Sequence, residues 1–159
     1  MLLYNIRLTR KEDMHEVLLL IKELAAFERE PDAVEITVED LQRDGFGEEK
    51  LFTCFVAEVE NEIQGMALIY FRYSTWKGKT VHLEDLVVRK SFRGKGLGAG
   101  LYKKTMEFAQ ENGVKRVEWA VLNWNQNAID FYEKTGAKVM DDWYLAQMDE
   151  KSLEDYLKI

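Results

Sequence analysis

The hydrophobic period of the chain changes several times, and each change marks an element. Apolar positions alternate over 4-YNIRL-8, which predicts a strand, and then recur at helical spacing through Met14, Val17, Leu18, Ile21, Leu24 and Ala25. Thr9 and Glu12 have capping-box spacing, so the helix is expected to open there. A second helix is expected over 37–45, with Thr37 as N-cap and Gly45 as terminator. Period two then takes over in 52-FTCFVAEV-59, 63-IQGMALIYFRY-73 and 80-TVHLEDLVV-88, broken near Asn61 and at Gly78. Three strands with short links predict an antiparallel meander. Helical spacing returns from Leu97 to Gln110 and stops at Gly113, and 116-RVEWAVL-122 reads as a strand. A helix over 125–136, with Asn125 as cap and Gly136 at its end, precedes one or two strands in 137–149 and a short amphipathic helix over 151–159.

No linker interrupts this order, so the expectation is one mixed α/β domain over residues 1–159. A chain of this length buries roughly 70% of the surface its unfolded form exposes, enough for a core without covalent staples. The lone cysteine, Cys54, excludes an intramolecular disulfide framework, and no Cys/His pair has zinc-ligand spacing. Within an apolar strand it reads as a small core residue. The formal net charge of −7 argues against a nucleic-acid partner and permits a cationic substrate. With no leader pattern and no run of 18 apolar residues, the expected location is cytoplasmic, away from the membrane.

The chemistry concentrates in 88-VRKSFRGKGLGAGLYKKTMEF-108, where Gly94, Gly96, Gly98 and Gly100 alternate between a strand and a helix. The first N–H groups of a helix lack intrahelical partners, and glycine lets a phosphate approach them closely. Arg93 and Lys95 add positive charge, so a pyrophosphate ligand is indicated. No register supplies the GxxxxGK[ST] of a P-loop. Gly94, Gly96 and Ala99 do match a dinucleotide fingerprint, with Glu118 about 20 residues on. Against it, 89-RKSFR-93 separates the strand from the first glycine, and Glu118 stands near the start of its predicted strand, not at its end. The third pattern, R-x-x-G-x-G/A, is met by Arg93, Gly96 and Gly98.

On these residues, and on 123-NWNQNAIDFYEKTGA-137, the sequence resembles the GNAT-superfamily N-acetyltransferases. The segments 22-KELAAFE-28, 40-DLQRDGFG-47, 76-WKGK-79 and 84-ED-85 resemble most the diamine (spermidine/spermine) branch, which includes thialysine acetylases. The resemblance implies the GNAT fold, a central, largely antiparallel sheet flanked by helices, with acetyl-CoA as cosubstrate and a homodimer as the assembly. It also implies that the backbone of Leu86, Val87 and Val88 pairs with the pantetheine arm and that Arg93, Gly94, Lys95, Gly96, Leu97, Gly98 and Ala99 hold the phosphates. Asn125, Gln126, Asn127 and Ala128 would line the cofactor as well.

Acetylation requires a neutral amine, whereas a primary ammonium has a pKa of ~10.4, so a base is needed. Glu84 and Asp85 adjoin on the strand leading into the loop, and strand alternation is expected to send them to opposite faces. The resemblance assigns the base to Glu84, acting through water, and the acid that protonates the departing sulfur to Tyr132, a phenol that stays protonated at neutral pH. Either Phe131 or Tyr132 must pack inward, so a core role for Tyr132 stays open on pattern alone. Phe27, Glu28, Glu84, Glu118, Trp119 and Ala120 match the branch's amine-binding positions, a carboxylate serving the distal ammonium. Trp76 and Trp143 are candidate walls, although large aromatics more often belong to a core. Two departures bear on the substrate. The branch commonly carries an acidic residue and Pro where this chain has 74-ST-75, and often Tyr in place of Phe27. Loss of a carboxylate there shifts the expected preference toward a short diamine or a lysine-like side chain such as thialysine. A non-enzymatic acyl-CoA sensor would share the loop but not the turnover.

Overall fold

The computed structural model describes residues 2–158. The chain divides into two compact units, Met1–Ala120 and Val121–Ile159.

The first unit is built on five strands in the order β1 (Asn5–Leu8), β2 (Thr53–Val59), β3 (Glu62–Ser74), β4 (Gly78–Val88) and β5 (Val117–Glu118). The first four pair antiparallel, so the meander read from the period-two segments is present, and β5 joins β4 in parallel. Helices α1 (Met14–Phe27) and α2 (Val38–Phe46) cover one face. There Met14, Val17, Leu18 and Leu20 of α1 and Leu41 of α2 pack with Cys54, Val56, Met66, Leu68 and Val87. Helix α3 (Leu97–Glu111) covers the other, setting Phe108 edge-on to Phe55 with Leu101 fully buried beside it. Alternation along β2 accounts for both faces, and each buried Leu or Met contributes about 1.5–3 kcal/mol.

The local starts differ from two sequence expectations. The N–H of Arg10 donates to Asp13 Oδ2 at 2.6 Å, so a single 3₁₀ turn at Lys11–Asp13 leads into α1, and Asp13 does the capping in place of Glu12. Thr9 is drawn away because its hydroxyl donates to the Cys54 carbonyl. Thr37 caps α2 as expected, its hydroxyl accepting from the Asp40 N–H at 3.1 Å while the Asp40 carboxylate accepts from the Thr37 N–H. Gly45 does not end α2, which runs to Phe46. Its missing side chain instead makes room for the ring of Phe52, which a Cβ would meet at 2.7 Å.

The second unit holds α4 (Gln126–Lys134) and α5 (Glu150–Leu157). Asn125 caps α4 by accepting from the Ala128 N–H at 3.3 Å, and the short C-terminal helix is present, apart from Ile159, which lies outside the described residues. The strand expected over 116–122 is reduced to Val117–Glu118, and none forms over 137–149. Residues 141–149 are exposed throughout, so the alternating pattern there finds no ladder among the described residues.

Candidate active site

The register between β3 and β4 slips at one point. Ile69 pairs with Leu83 and Leu68 with Asp85, which leaves Glu84 as the extra residue of a β-bulge. The bulge cancels the alternation on which the sequence reading relied. Leu68 belongs to the core beneath α1, so Asp85 opposite it turns to the α1 side. Tyr70 shares that side of β3 and donates its hydroxyl to Glu84 Oε2 at 3.1 Å. Glu84 and Asp85 therefore face the same way, and Glu28 at the end of α1 joins them. Burial, and then the charge of Glu84, raises the Glu28 carboxyl above its usual range. Burial, then Glu84, then Glu28, pushes Asp85 up to about 7. Three carboxylates thus converge, and burial with two like charges beside it favours the neutral form of Asp85.

Glu84 itself is about half exposed, with His82 Nε2 3.5 Å from its Oε2. Tyr70 is a durable donor, since burial and the neighbouring Glu84 raise its phenol above the ordinary value. Glu118 is ion-paired with Arg72 at 2.5 Å and Arg116 at 2.9 Å, so an amine could reach it only in competition with two guanidiniums. Trp119 points to the opposite face, edge-on to Tyr102 of α3 at 5.7 Å, and Ala120 is exposed. The Phe27 ring lies under the Arg93 guanidinium, 5.3 Å away. Trp76 and Trp143 are 78% and 68% exposed, against the core reading.

The glycine loop has the conformation that a phosphate cradle requires. Gly94 and Gly96 adopt φ of +74° and +92°, and a Cβ on Gly94 would meet nothing within 4 Å. Gly96 is the N-cap of α3 without any side-chain cap, so the first-turn N–H groups of Leu97, Gly98 and Ala99 are left for an anion. The loop is held from β1, where the Tyr4 hydroxyl donates to the Gly96 carbonyl at 3.2 Å. It is held from α1 by Glu23, which accepts from the Lys90 N–H and lies 3.9 Å from Arg93. Beyond the pairs Val81–Val117 and His82–Glu118, no described strand pairs with the outer edge of β4, so the backbone of Leu86, Val87 and Val88 has an unpaired side for an extended ligand. These features fit acetyl-CoA, which would supply the activated acetyl thioester.

In the second unit, Tyr132 is the buried member of its pair, 9% exposed, and Phe131 is the more accessible, its ring 5.5 Å away. Asn125 and Ala128 are half-buried at the start of α4, while Gln126 and Asn127 are exposed. Sequence reasoning passed over Asp85, which it weighed against Glu84, and the partners His82 and Tyr70. The positions of both partners relative to Glu84 depend on the bulge, which has no signature in the residue pattern.

A parallel β4–α3–β5 unit with an anion-ready helix start beside a half-open strand suits a phosphate-bearing ligand with an extended arm. The chain belongs to the acetyltransferase (GNAT) family, whose sequence model it matches over residues 13–137. It is accordingly an acetyl-CoA-dependent N-acetyltransferase, and the dinucleotide reading is set aside. One argument against that reading fails, since β5 ends at Glu118; the other stands, because a 3₁₀ turn at Lys90–Phe92 separates β4 from Gly94. The chain is 36% identical to the thialysine N-epsilon-acetyltransferase of Bos taurus over 94% of its length and 95% of the relative's. It is 37% identical to the spermidine/spermine N(1)-acetyltransferase-like protein 1 of Homo sapiens, covering 96% of this chain and 23% of that one. Its fold is similar to that of aminoglycoside N-acetyltransferase AAC(6')-Iy solved with CoA, with a TM-score of 0.73, 17% identity and coverage of 92% and 95%.

Proposed function

We propose that this enzyme acetylates a primary amine of a small diamine or polyamine, by direct transfer within a ternary complex. The observation that carries the substrate class is the convergence of Glu28, Glu84 and Asp85. A molecule with two ammonium groups matches it, one amine to be deprotonated and the other held by the remaining carboxylates. Glu84 accepts the amine proton through water, and Tyr132 donates a proton to the departing sulfur. Phe27 borders the amine, and Glu118 and Ala120 extend the same region; Trp119, turned to Tyr102 of α3 on the other face, is not part of it. The loop from Arg93 to Ala99 and the start of α4 from Asn125 to Ala128 hold the cofactor, with the unpaired edge of β4 at Leu86–Val88 beside the pantetheine arm.

Direct transfer is supported by the state of Cys54, whose thiol burial pushes far up, leaving no thiolate to carry an acetyl group. A second reading, acetylation of thialysine or a lysine-like amine, is favoured by the similarity to the thialysine enzymes and by 74-ST-75, which lacks the branch's acidic residue. The reading also includes one functional domain over residues 1–159, a homodimer and a cytoplasmic setting. The net charge of −7 disfavours nucleic acid, and no helix among the described residues is long and apolar enough to cross a membrane.

The test is thiol release from acetyl-CoA with putrescine, spermidine, spermine, thialysine and lysine. Saturable turnover with di- or polyamines is expected. Turnover confined to thialysine or lysine selects the second reading, and silence with all five removes both.

A further inference from the structure

We propose that His82 is a positioning residue which, together with Tyr70, fixes the carboxylate of Glu84. The inference rests on the assignment of Glu84 as base. As the extra residue of the bulge, Glu84 has no partner across β3, and its half-exposed side chain would otherwise sample several rotamers. Two groups converge on a single oxygen of it. Tyr70, from β3, donates to Oε2 at 3.1 Å, and His82, two residues earlier on β4, places Nε2 3.5 Å from the same atom.

The imidazole is itself closely surrounded. Its ring lies against that of Tyr70, with centroids 5.1 Å apart, and only 16% of the side chain is exposed. Its Nδ1 is buried, makes no hydrogen bond and lies 4.0 Å from Glu118 Oε1. Glu118 is in turn fixed by Arg72 from β3 and by Arg116 just ahead of β5. The charged and titratable groups facing His82 are therefore Tyr70 and Arg72 on β3, Glu84 on β4, and Glu118 with Arg116 on the β5 side. Only a ring that carries a proton on Nε2 can donate to Glu84, and with Glu118 4.0 Å from Nδ1 the ring stands between two carboxylates. A chain of contacts thus runs from two arginines through Glu118 and His82 to the base. A buried nitrogen without a partner, aimed along that chain, is not what packing alone would select.

The experiment compares His82→Gln, whose amide nitrogen reaches about as far as Nε2, with His82→Asn, whose amide stops near Nδ1. Both are polar, and thermal midpoints report folding independently of turnover. His82→Gln is expected to stay within a few-fold of wild-type kcat, and His82→Asn to lose roughly tenfold or more with the KM for acetyl-CoA unchanged. Tyr70→Phe, which keeps the ring against His82, should lower kcat several-fold without disturbing the buried imidazole. In a Glu84→Gln background, His82→Asn should cause no further loss, because there is no base left to position. Equal losses in both backgrounds, or wild-type turnover by His82→Asn or Tyr70→Phe, would overturn the inference and leave Glu84 in place. Wild-type turnover by Glu84→Gln alone would remove the base assignment, and the role of His82 with it.

Discussion

Asp85 and Glu84, neighbours on β4, turn their carboxylates to the same side of the sheet, because the ladder skips Glu84 between the pairs Ile69–Leu83 and Leu68–Asp85. The consequence is a buried carboxyl that titrates near neutrality. Asp85 is pushed up to about 7, by burial first and then by Glu84 and Glu28, from an ordinary ~3.9. Between those limits the unfolded chain has released the proton while the folded chain retains it. Raising the pH through that window therefore removes stability, by up to ~4 kcal/mol once Asp85 has ionised. Asp85→Asn should abolish this loss, making the variant more stable than wild type at pH 8 but not at pH 4. Urea midpoints at the two pH values decide it, and an equal pH response in both proteins would show that Asp85 is not the group responsible.

The roles proposed for Glu84 and Tyr132 predict separable kinetics. Glu84→Gln should lower kcat for amine acetylation by about 10²- to 10⁴-fold at neutral pH, with acetyl-CoA binding preserved. Raising the pH should recover part of the rate, because more of the amine is then already neutral. Tyr132→Phe keeps the buried ring and removes only the hydroxyl, so it should fold normally and lose turnover without recovery at high pH. Steady-state rates from pH 6 to 10 distinguish the two, and parallel profiles would argue against assigning them opposite proton transfers.

Much of the fold was legible because it rests on local periodicity. The meander, the three longer helices of the first unit, the Asn125 cap and the glycine loop all follow from residues close in sequence. What failed depended on contacts distant in sequence. Thr9 is taken by the Cys54 carbonyl, Gly45 is required by Phe52, and 137–149 alternates without finding a partner strand. The site divides in the same way. The left-handed glycine loop at Gly94 and Gly96 is legible from its spacing, whereas the alignment of Glu84, Asp85, Tyr70 and His82 is produced by one unpaired residue in a ladder.

Arg7 offers a test of acid stability. Its guanidinium lies 2.6 Å from both Asp13 and Glu58, with all three side chains less than 20% exposed. Burial alone would raise Asp13, but Arg7 and the N–H of Arg10 outweigh it and hold the carboxyl below its usual range. A depressed carboxyl stabilises the fold above the unfolded pKa of ~3.9, and that contribution is lost as pH falls through the folded value. Arg7→Met should cost about 3–5 kcal/mol at pH 7, because two carboxylates are left uncompensated. The cost should shrink as the pH falls from the unfolded value of ~3.9 through the lower folded value of Asp13, where that carboxyl becomes neutral. Chemical denaturation at pH 7 and pH 3 measures this, and a constant difference would mean that packing, not charge, is the function of Arg7.

A substitution at Gly96 tests the proposed cofactor cradle separately from the proposed amine site. Its φ of +92° is one that a side chain resists, and the nearest atoms to an added Cβ belong to Tyr4 at 3.9 Å, so Gly96→Ala introduces backbone strain without a steric clash. The substitution should cost about 1–2 kcal/mol, or shift the loop and draw the Gly96 carbonyl away from the Tyr4 hydroxyl. In either case the first-turn N–H groups of α3 lose their aim. The KM for acetyl-CoA should rise roughly tenfold while the amine KM is little changed. Gly113→Ala supplies the control, since it carries a comparable strain, φ of +64°, at the far end of α3, away from the loop. If both variants weaken acetyl-CoA equally, general loosening of α3 explains the effect; if only Gly96→Ala does, the left-handed turn itself shapes the phosphate site.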